Sequence, residues 1–216
     1  FLNGKKPIQH RSSYGLGEVI KAALDNHTEH LVISLGGIGS FDGGAGMLQA
    51  LGATFYDDEA QIVDMRKGAY LIKYIRRIDL SGVHPQLTKV NIQLMSDFSS
   101  RLYGKKSEIM QTYESLDLSQ NEAAEIDNLI WYFSELFKNE LKIAMGPIER
   151  GGAGGGIAAV LNSLYQAEIL TSHELVNQIT HLENLIQQAD LIIFGEGLKE
   201  EDQILETTTI RIAELT

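Results

Sequence analysis

The chain has 216 residues, is 44% hydrophobic and carries a formal net charge of -11, which allows one sizeable core or one domain with part of another. It has no cysteine, which excludes disulfides and thiolate chemistry and suits the reducing cytoplasm, where we expect the protein. The acidic balance argues against nucleic-acid binding, and no apolar run approaches the roughly 20 residues of a membrane helix. No signal peptide is visible. Because the first residue is Phe1 rather than Met, we expect a piece of a longer protein.

The predicted elements of the first half alternate between helices and strands. Apolar residues at helical spacing predict a helix over 15–26, and the β-branched run at 31–35 predicts a buried parallel strand. Three shorter elements follow, namely a helix at 46–51 and strands at 53–56 and 90–95. The last of these strands ends at Ser96 and Asp97.

The second half continues the alternation. Capping boxes at 119–122 and 171–174 each predict the start of an amphipathic helix, and the aromatic residues of the first one are expected in the core rather than around a cofactor. A glycine-rich loop leads into an apolar helix over 151–166, and 190–194 is predicted to be a strand. Strands alternating with helices indicate the α/β class, with a largely parallel or mixed sheet.

Two glycine-rich segments precede predicted helices, at 36–46 and 151–156. In α/β sheets ligands bind beyond the carboxyl ends of strands, and the N–H groups at a helix start attract anions. Neither a Walker A loop nor a dinucleotide-binding Gly-x-Gly-x-x-Gly with its downstream acid is present in the first segment. The alternative to an anion site is a turn, a flexible loop or a close packing contact that only glycine allows.

Three acidic residues are candidates for chemistry. Asp42 and Asp97 both follow predicted strands, so they could share one edge of the sheet and hold Mg²⁺, which prefers oxygen ligands. Glu196, between two glycines after the last predicted strand, could bind a metal or orient a hydroxyl, although such a carboxylate is more often a solvated loop residue. The six histidines show no metal-ligand spacing, so no metal ligand is assigned.

Several segments together resemble the class I glycerate kinases. Residues 35–52 read LGGIGSFDGGAGMLQALG and are similar to the family's GGSATNDGGAGM segment continuing into QALG. Residues 14–18 (YGLGE), 78–82 (IDLSG), 155–157 (GGI), 167–169 (AEI) and 189–197 (ADLIIFGEG) also match family segments in order. The resemblance implies two domains, an α/β domain inserted into a Rossmann-like domain that is made from both ends of the chain. Residues 1–189 would be the inserted domain. Residues 190–216 would be the start of the segment that returns to the Rossmann-like domain, with its first strand.

The resemblance also implies a function and a site. Family members use ATP, with Mg²⁺, to phosphorylate D-glycerate, so the expected partner is a glycerate-like small molecule, and a homo-oligomer is left open. Carried over by motif, the catalytic candidates are Asp97 and Asp42. The substrate- or anion-binding candidates are Gly36, Gly37, Gly43, Gly44, Gly155 and Glu196.

This chain departs from the family pattern at polar positions in four motifs. In the first motif, the family's Ser-Ala-Thr-Asn is replaced by Ile38, Gly39, Ser40 and Phe41, and Phe41 is expected to reshape the pocket. In the second, residues 96–102 keep one of the family's two aspartates. The third, 112–117, lacks the family's lysine, and the fourth, 198–209, differs throughout. Losing such groups from a phosphoryl-transfer site costs a few kcal/mol each, or several hundredfold in rate. Two hypotheses follow: a working kinase for a small hydroxy acid, or a non-catalytic ligand-binding or regulatory module. A structural subunit without a ligand is a third.

Overall fold

The computed structural model describes residues 6–37 and 39–193, which fall into two compact units. The first unit ends at Ile169 and the second begins at Leu170. In the described residues no helix has the length and apolarity needed to span a bilayer. The predicted domain boundary at 189 stays a prediction.

The described helices and strands follow the predicted alternation only in part, since three strands and then three helices follow one another in the middle of the chain. The helices are α1 (Tyr14–Asp25), α2 (Ala45–Ala50), α3 (Glu108–Thr112), α4 (Gln120–Leu136), α5 (Ile157–Tyr165), α6 (Ser172–Thr180) and α7 (Leu182–Gln188). The strands are β1 (His30–Ser34), β2 (Thr54–Tyr56), β3 (Arg77–Asp79), β4 (Asn91–Met95) and β5 (Glu168–Leu170). Short 3-10 turns and a π-helical turn, Phe137–Leu141, complete the regular structure of these residues.

The sheet that positions the site has the order β1-β4-β5. Strands β1 and β4 pair in parallel, with His30 opposite Asn91 and Ser34 opposite Met95, so both strands end at the same edge. A separate antiparallel ribbon joins β2 and β3. The α/β class with a parallel sheet is therefore confirmed. Of the strand predicted at 190–194, the described residues 190–193 form no strand, and Phe194 lies outside the described part of the chain.

Both predicted capping boxes form. Ser119 accepts a hydrogen bond from the Glu122 N–H while the Glu122 carboxylate accepts one from the Ser119 N–H, and helix α4 starts there. Thr171 and Glu174 repeat the arrangement at the start of α6, inside the second unit. These side chains satisfy N–H groups that the helix itself leaves unpaired.

The core of the first unit includes buried residues of β1, β4 and helices α2, α4 and α5. Phe133 and Phe137 are fully buried and make edge-to-face contacts with each other, and Phe55 contacts Phe133 in the same way. Trp131, on the same helix, is 47% exposed. The expectation that these aromatic residues lie in the core is therefore confirmed for Phe133 of α4 and for Phe137 of the following π-helical turn, and is wrong for Trp131.

Helices α1 and α2 cross closely because Gly17 has no side chain. A Cβ atom at Gly17 would lie 2.4 Å from the Met47 carbonyl oxygen. This crossing brings the N-terminus of α1 next to the N-terminus of α2, where the first glycine-rich segment ends.

Candidate functional site

A cavity of about 360 Å³ opens where strands β1 and β4 end. Leu35 continues the pairing by donating its N–H to the Met95 carbonyl at 2.9 Å. Gly36 and Gly37 line the cavity from the β1 side, and the exposed Asp97 lines it from the β4 side. The carboxyl ends of two neighbouring parallel strands therefore form this site, as expected for α/β folds.

A larger cavity, of about 960 Å³, lies against the same glycines. The two cavities share the residues Ser34, Gly36 and Gly37. Ser12 to Leu16, at the start of α1, form part of the wall of the larger cavity. Its charged lining residues are Lys6, Arg11 and Arg66 on the positive side and Glu18 on the negative side, with His10 beside them. The surplus of cations and the helix start favour an anionic ligand here.

The two arginines of the larger cavity are held in different ways. Arg11 donates from Nη1 to the Gly39 carbonyl at 3.4 Å and from Nε to the Lys6 carbonyl, and it forms no ion pair with another described residue. Arg66 pairs with Asp64 through Nε and Oδ1 at 2.8 Å and also lies over the Tyr14 ring. Arg11 is therefore the stronger of the two arginines as an anion ligand.

Asp42 is completely buried at the junction of α1 and α2. Its Oδ2 accepts hydrogen bonds from the Ser13 N–H at 2.8 Å, the Ser13 hydroxyl at 2.9 Å and the Gly46 N–H at 3.2 Å, and its Oδ1 accepts one from the Gly44 N–H. Burial raises the pKa of Asp42 above its ordinary value, and these hydrogen bonds oppose the rise. Asp42 lines neither cavity, so the geometry gives it a positioning role and does not bring it together with Asp97.

The two glycine-rich segments pack directly on each other. The Gly43 N–H donates to the Gly155 carbonyl at 2.9 Å, and a Cβ at Gly155 would lie 2.0 Å from the Ser40 carbonyl oxygen. A Cβ at Gly156 would lie 2.8 Å from the Gly43 Cα. Gly43, Gly44 and Gly155 are buried, so the packing alternative explains them better than direct ligand contact.

Gly36 and Gly37 differ from the other candidate glycines. Both are exposed, and a Cβ at Gly37 would meet no atom within 4 Å. Gly37 has a positive φ of 70°, which favours glycine for its backbone conformation alone. These are the glycines whose backbone is open to a ligand in both cavities.

Glu108, at the start of α3, is a site residue that the sequence did not reveal. It lines the smaller cavity together with Asp97, and its Oε2 accepts a hydrogen bond from the Gly155 N–H at 3.1 Å. Burial raises the pKa of Glu108, against the effect of the Gly155 and Gly154 N–H groups. No motif marked this residue, because its place in the cavity depends on a tertiary contact between α3 and the second glycine segment.

Two further expectations have different outcomes. Phe41 is 3% exposed and belongs to the hydrophobic core, so it does not line either cavity and does not reshape the pocket directly. Glu196 lies outside the described residues. Among those that the structure describes, no three His, Cys, Asp or Glu side chains converge to hold a metal ion.

Comparisons with known proteins agree on one family. The sequence model described as Glycerate kinase family matches residues 2–216. The chain is 31% identical over 202 residues to a glycerate kinase of Halalkalibacterium halodurans, covering 94% of this chain and 53% of that protein. It is 30% identical to the glycerate 2-kinase of Escherichia coli K12, with 94% and 52% covered.

A solved structure agrees with the sequence relatives. The crystal structure of a protein assigned as glycerate kinase 2, from Salmonella typhimurium LT2, superposes with a TM-score of 0.85 at 29% identity, covering 99% of this chain and 56% of that one. The chain thus spans about half the length of the curated relatives that it matches.

Proposed function

Because the chain belongs to the glycerate kinase family, we propose that it provides part of the site at which ATP phosphorylates D-glycerate or a related small hydroxy acid. The observation that carries this proposal is the pair of adjoining cavities with Ser34, Gly36 and Gly37 in common. One is lined by cations and a helix start, and the other by carboxylates. Phosphoryl transfer needs both kinds of surroundings next to each other.

The larger cavity suits the anionic groups of the substrates. Arg11 and the start of α1 would bind phosphate or carboxylate oxygens, since charged hydrogen bonds to such oxygens are strong. Asp42 supports this wall from behind, because it holds Ser13 and the start of α2 in fixed positions. In this proposal Asp42 positions the binding surface and does not touch the ligand.

The smaller cavity suits the reacting hydroxyl and a magnesium ion. Mg²⁺ that is bound largely by nucleotide phosphates needs only one or two carboxylates from the protein, and the exposed Asp97 fits that requirement. When bound, the ion neutralises phosphate charge. The hydroxyl oxygen of the acid would attack the γ-phosphorus across the Gly36–Gly37 wall, and the bond from that phosphorus to ADP would break.

The alternative is a ligand-binding or regulatory module without turnover. It is favoured by the lining of the Asp97 cavity, which includes no lysine or arginine among the described residues. Thr112, which lines this cavity, begins the segment in which the family's lysine is missing. Such a module would bind ATP or glycerate but release no ADP.

Calorimetric titration distinguishes the two functions. The protein in its full native length would be titrated with ATP and Mg²⁺, then with D-glycerate, and assayed for ADP release by a coupled reaction. Binding of both with ADP release depending on glycerate supports the kinase, and binding without release supports the module. A folded protein that binds neither refutes the proposal.

A further inference from the structure

The carboxylates that line the Asp97 cavity differ from those of the family motif that residues 96–102 resemble. The family segment has two aspartates, whereas here Asp97 is kept and Ser99 stands at the second position. Ser99 is exposed and does not line the cavity. Glu108, eleven positions after Asp97 and on a different element, places a second carboxylate there instead.

We infer that Glu108 is the second carboxylate of this site and accepts the proton of the attacking hydroxyl, while Asp97 serves the magnesium nucleotide. The inference rests on the proposed function and deepens it. It also explains how a site that lost one aspartate from its motif keeps the carboxylate that the chemistry needs.

The position of Glu108 is fixed from two sides. Its Oε2 accepts the Gly155 N–H, and Gly155 itself is packed against the Ser40 carbonyl of the first glycine segment. The preceding residue, Ser107, is bonded through its hydroxyl to Asp127 of α4, which also accepts the Gly104 N–H. A proton acceptor must be held within hydrogen-bond reach of the proton that it takes.

The surroundings of Glu108 suit a proton acceptor better than a cation ligand. It is partly buried, and this burial raises its pKa toward the range where a carboxylate takes up a proton more readily. The neighbouring acids are Asp97, in the same cavity, and Asp127, behind Ser107. Arg101, whose backbone pairs with Ser107, and Lys106, which precedes Ser107, both have exposed side chains.

The proposed step is balanced without any further reactant. The hydroxyl oxygen forms a bond to the γ-phosphorus, the bond between that phosphorus and the bridging oxygen breaks, and its electron pair leaves with ADP. The hydroxyl proton moves to the Glu108 carboxylate. The products are the phosphorylated acid and ADP, and Glu108 later releases its proton to solvent.

The test compares Glu108→Gln with Glu108→Asp in the full-length protein. The amide cannot accept the proton but can still accept the Gly155 N–H, so we expect kcat to fall about a hundredfold with KM for ATP changed less than about threefold. Glu108→Asp keeps a carboxylate and should retain more of kcat than Glu108→Gln. The matched control is Glu114→Gln. Glu114 is exposed, also starts a short helical turn and does not line the cavity.

Two outcomes contradict the inference, and a third contradicts the proposed function on which it rests. One is a Glu108→Gln protein that keeps kcat within about threefold of the wild type. Another is an equal loss of kcat in both variants, accompanied by a lower melting temperature in both, which would mean a structural role. An inactive but folded wild type would refute the proposed function itself, so that failure is distinguishable from a failure of Glu108 alone.

Discussion

Replacing Gly155 by alanine tests whether the two glycine segments depend on direct backbone packing. The new Cβ would lie 2.0 Å from the Ser40 carbonyl oxygen and 2.9 Å from the Phe41 Cα, so one segment must move. Overpacking of this kind costs about 1–3 kcal/mol, and the positive φ of 65° adds about 1 kcal/mol for a residue with a side chain. Separation of the segments would also lose the Gly43–Gly155 hydrogen bond, worth about 1 kcal/mol. We therefore expect a loss of about 3–5 kcal/mol in the free energy of unfolding.

Gly37→Ala is the matched control for this substitution. Gly37 has nearly the same backbone conformation, with a φ of 70°, but its Cβ would meet no atom within 4 Å. The control therefore carries the conformational cost alone, about 1 kcal/mol. Urea unfolding followed by circular dichroism measures both changes against the wild type.

The comparison of the two alanine variants decides the question. A Gly155→Ala loss that exceeds the Gly37→Ala loss by about 2 kcal/mol or more supports tight packing of the segments. Equal losses would refute it, because the steric contribution would then be absent and the second glycine segment would be free to act as a ligand loop.

The remaining predictions concern three charged residues of the first unit. Asp42→Asn should lower the free energy of unfolding by about 3 kcal/mol in urea, since an amide nitrogen would face donors only; an unchanged midpoint would contradict the positioning role. Burial raises the pKa of Asp127 in the folded state, so the folded protein binds this proton more tightly than the unfolded chain does. The contribution of Asp127 to stability should therefore fall as the pH rises from about 3.8 through the raised pKa, and then level off. The difference in unfolding free energy between wild type and Asp127→Asn, measured against pH, should show that fall, and a rise would contradict it. Arg11→Ala should weaken binding of ATP or glycerate at least tenfold by calorimetry, whereas binding within twofold of the wild type would exclude Arg11 from the site.

Local signals explain why much of the fold was predictable. The β-branched run before Gly36, the alternation of elements and the capping boxes at Ser119 and Thr171 each act within a few residues, so they can be found in one sequence. Trp131 shows the limit for side chains: periodicity puts it beside the buried face of α4, but only the packed structure shows that it is 47% exposed.

The candidate site was predictable in position but not in composition. The end of a parallel strand directs attention to Gly36, Gly37 and Asp97, which do line a cavity. The same reasoning could not separate glycines that face a ligand from glycines that pack on backbone, because Gly155 owes its role to Ser40, far away in the chain. Glu108 escaped for the same reason.

The central claim is that this chain contributes a carboxylate-lined phosphoryl-transfer site, and ADP release by Asp97→Asn tests it most directly. The variant would be compared with the wild type and with Asp58→Asn, an exposed turn residue that lines neither cavity. The account predicts glycerate-dependent ADP release by the wild type and by Asp58→Asn, and a loss of a hundredfold or more in Asp97→Asn at an unchanged melting temperature. Equal ADP release by all three proteins would contradict the account.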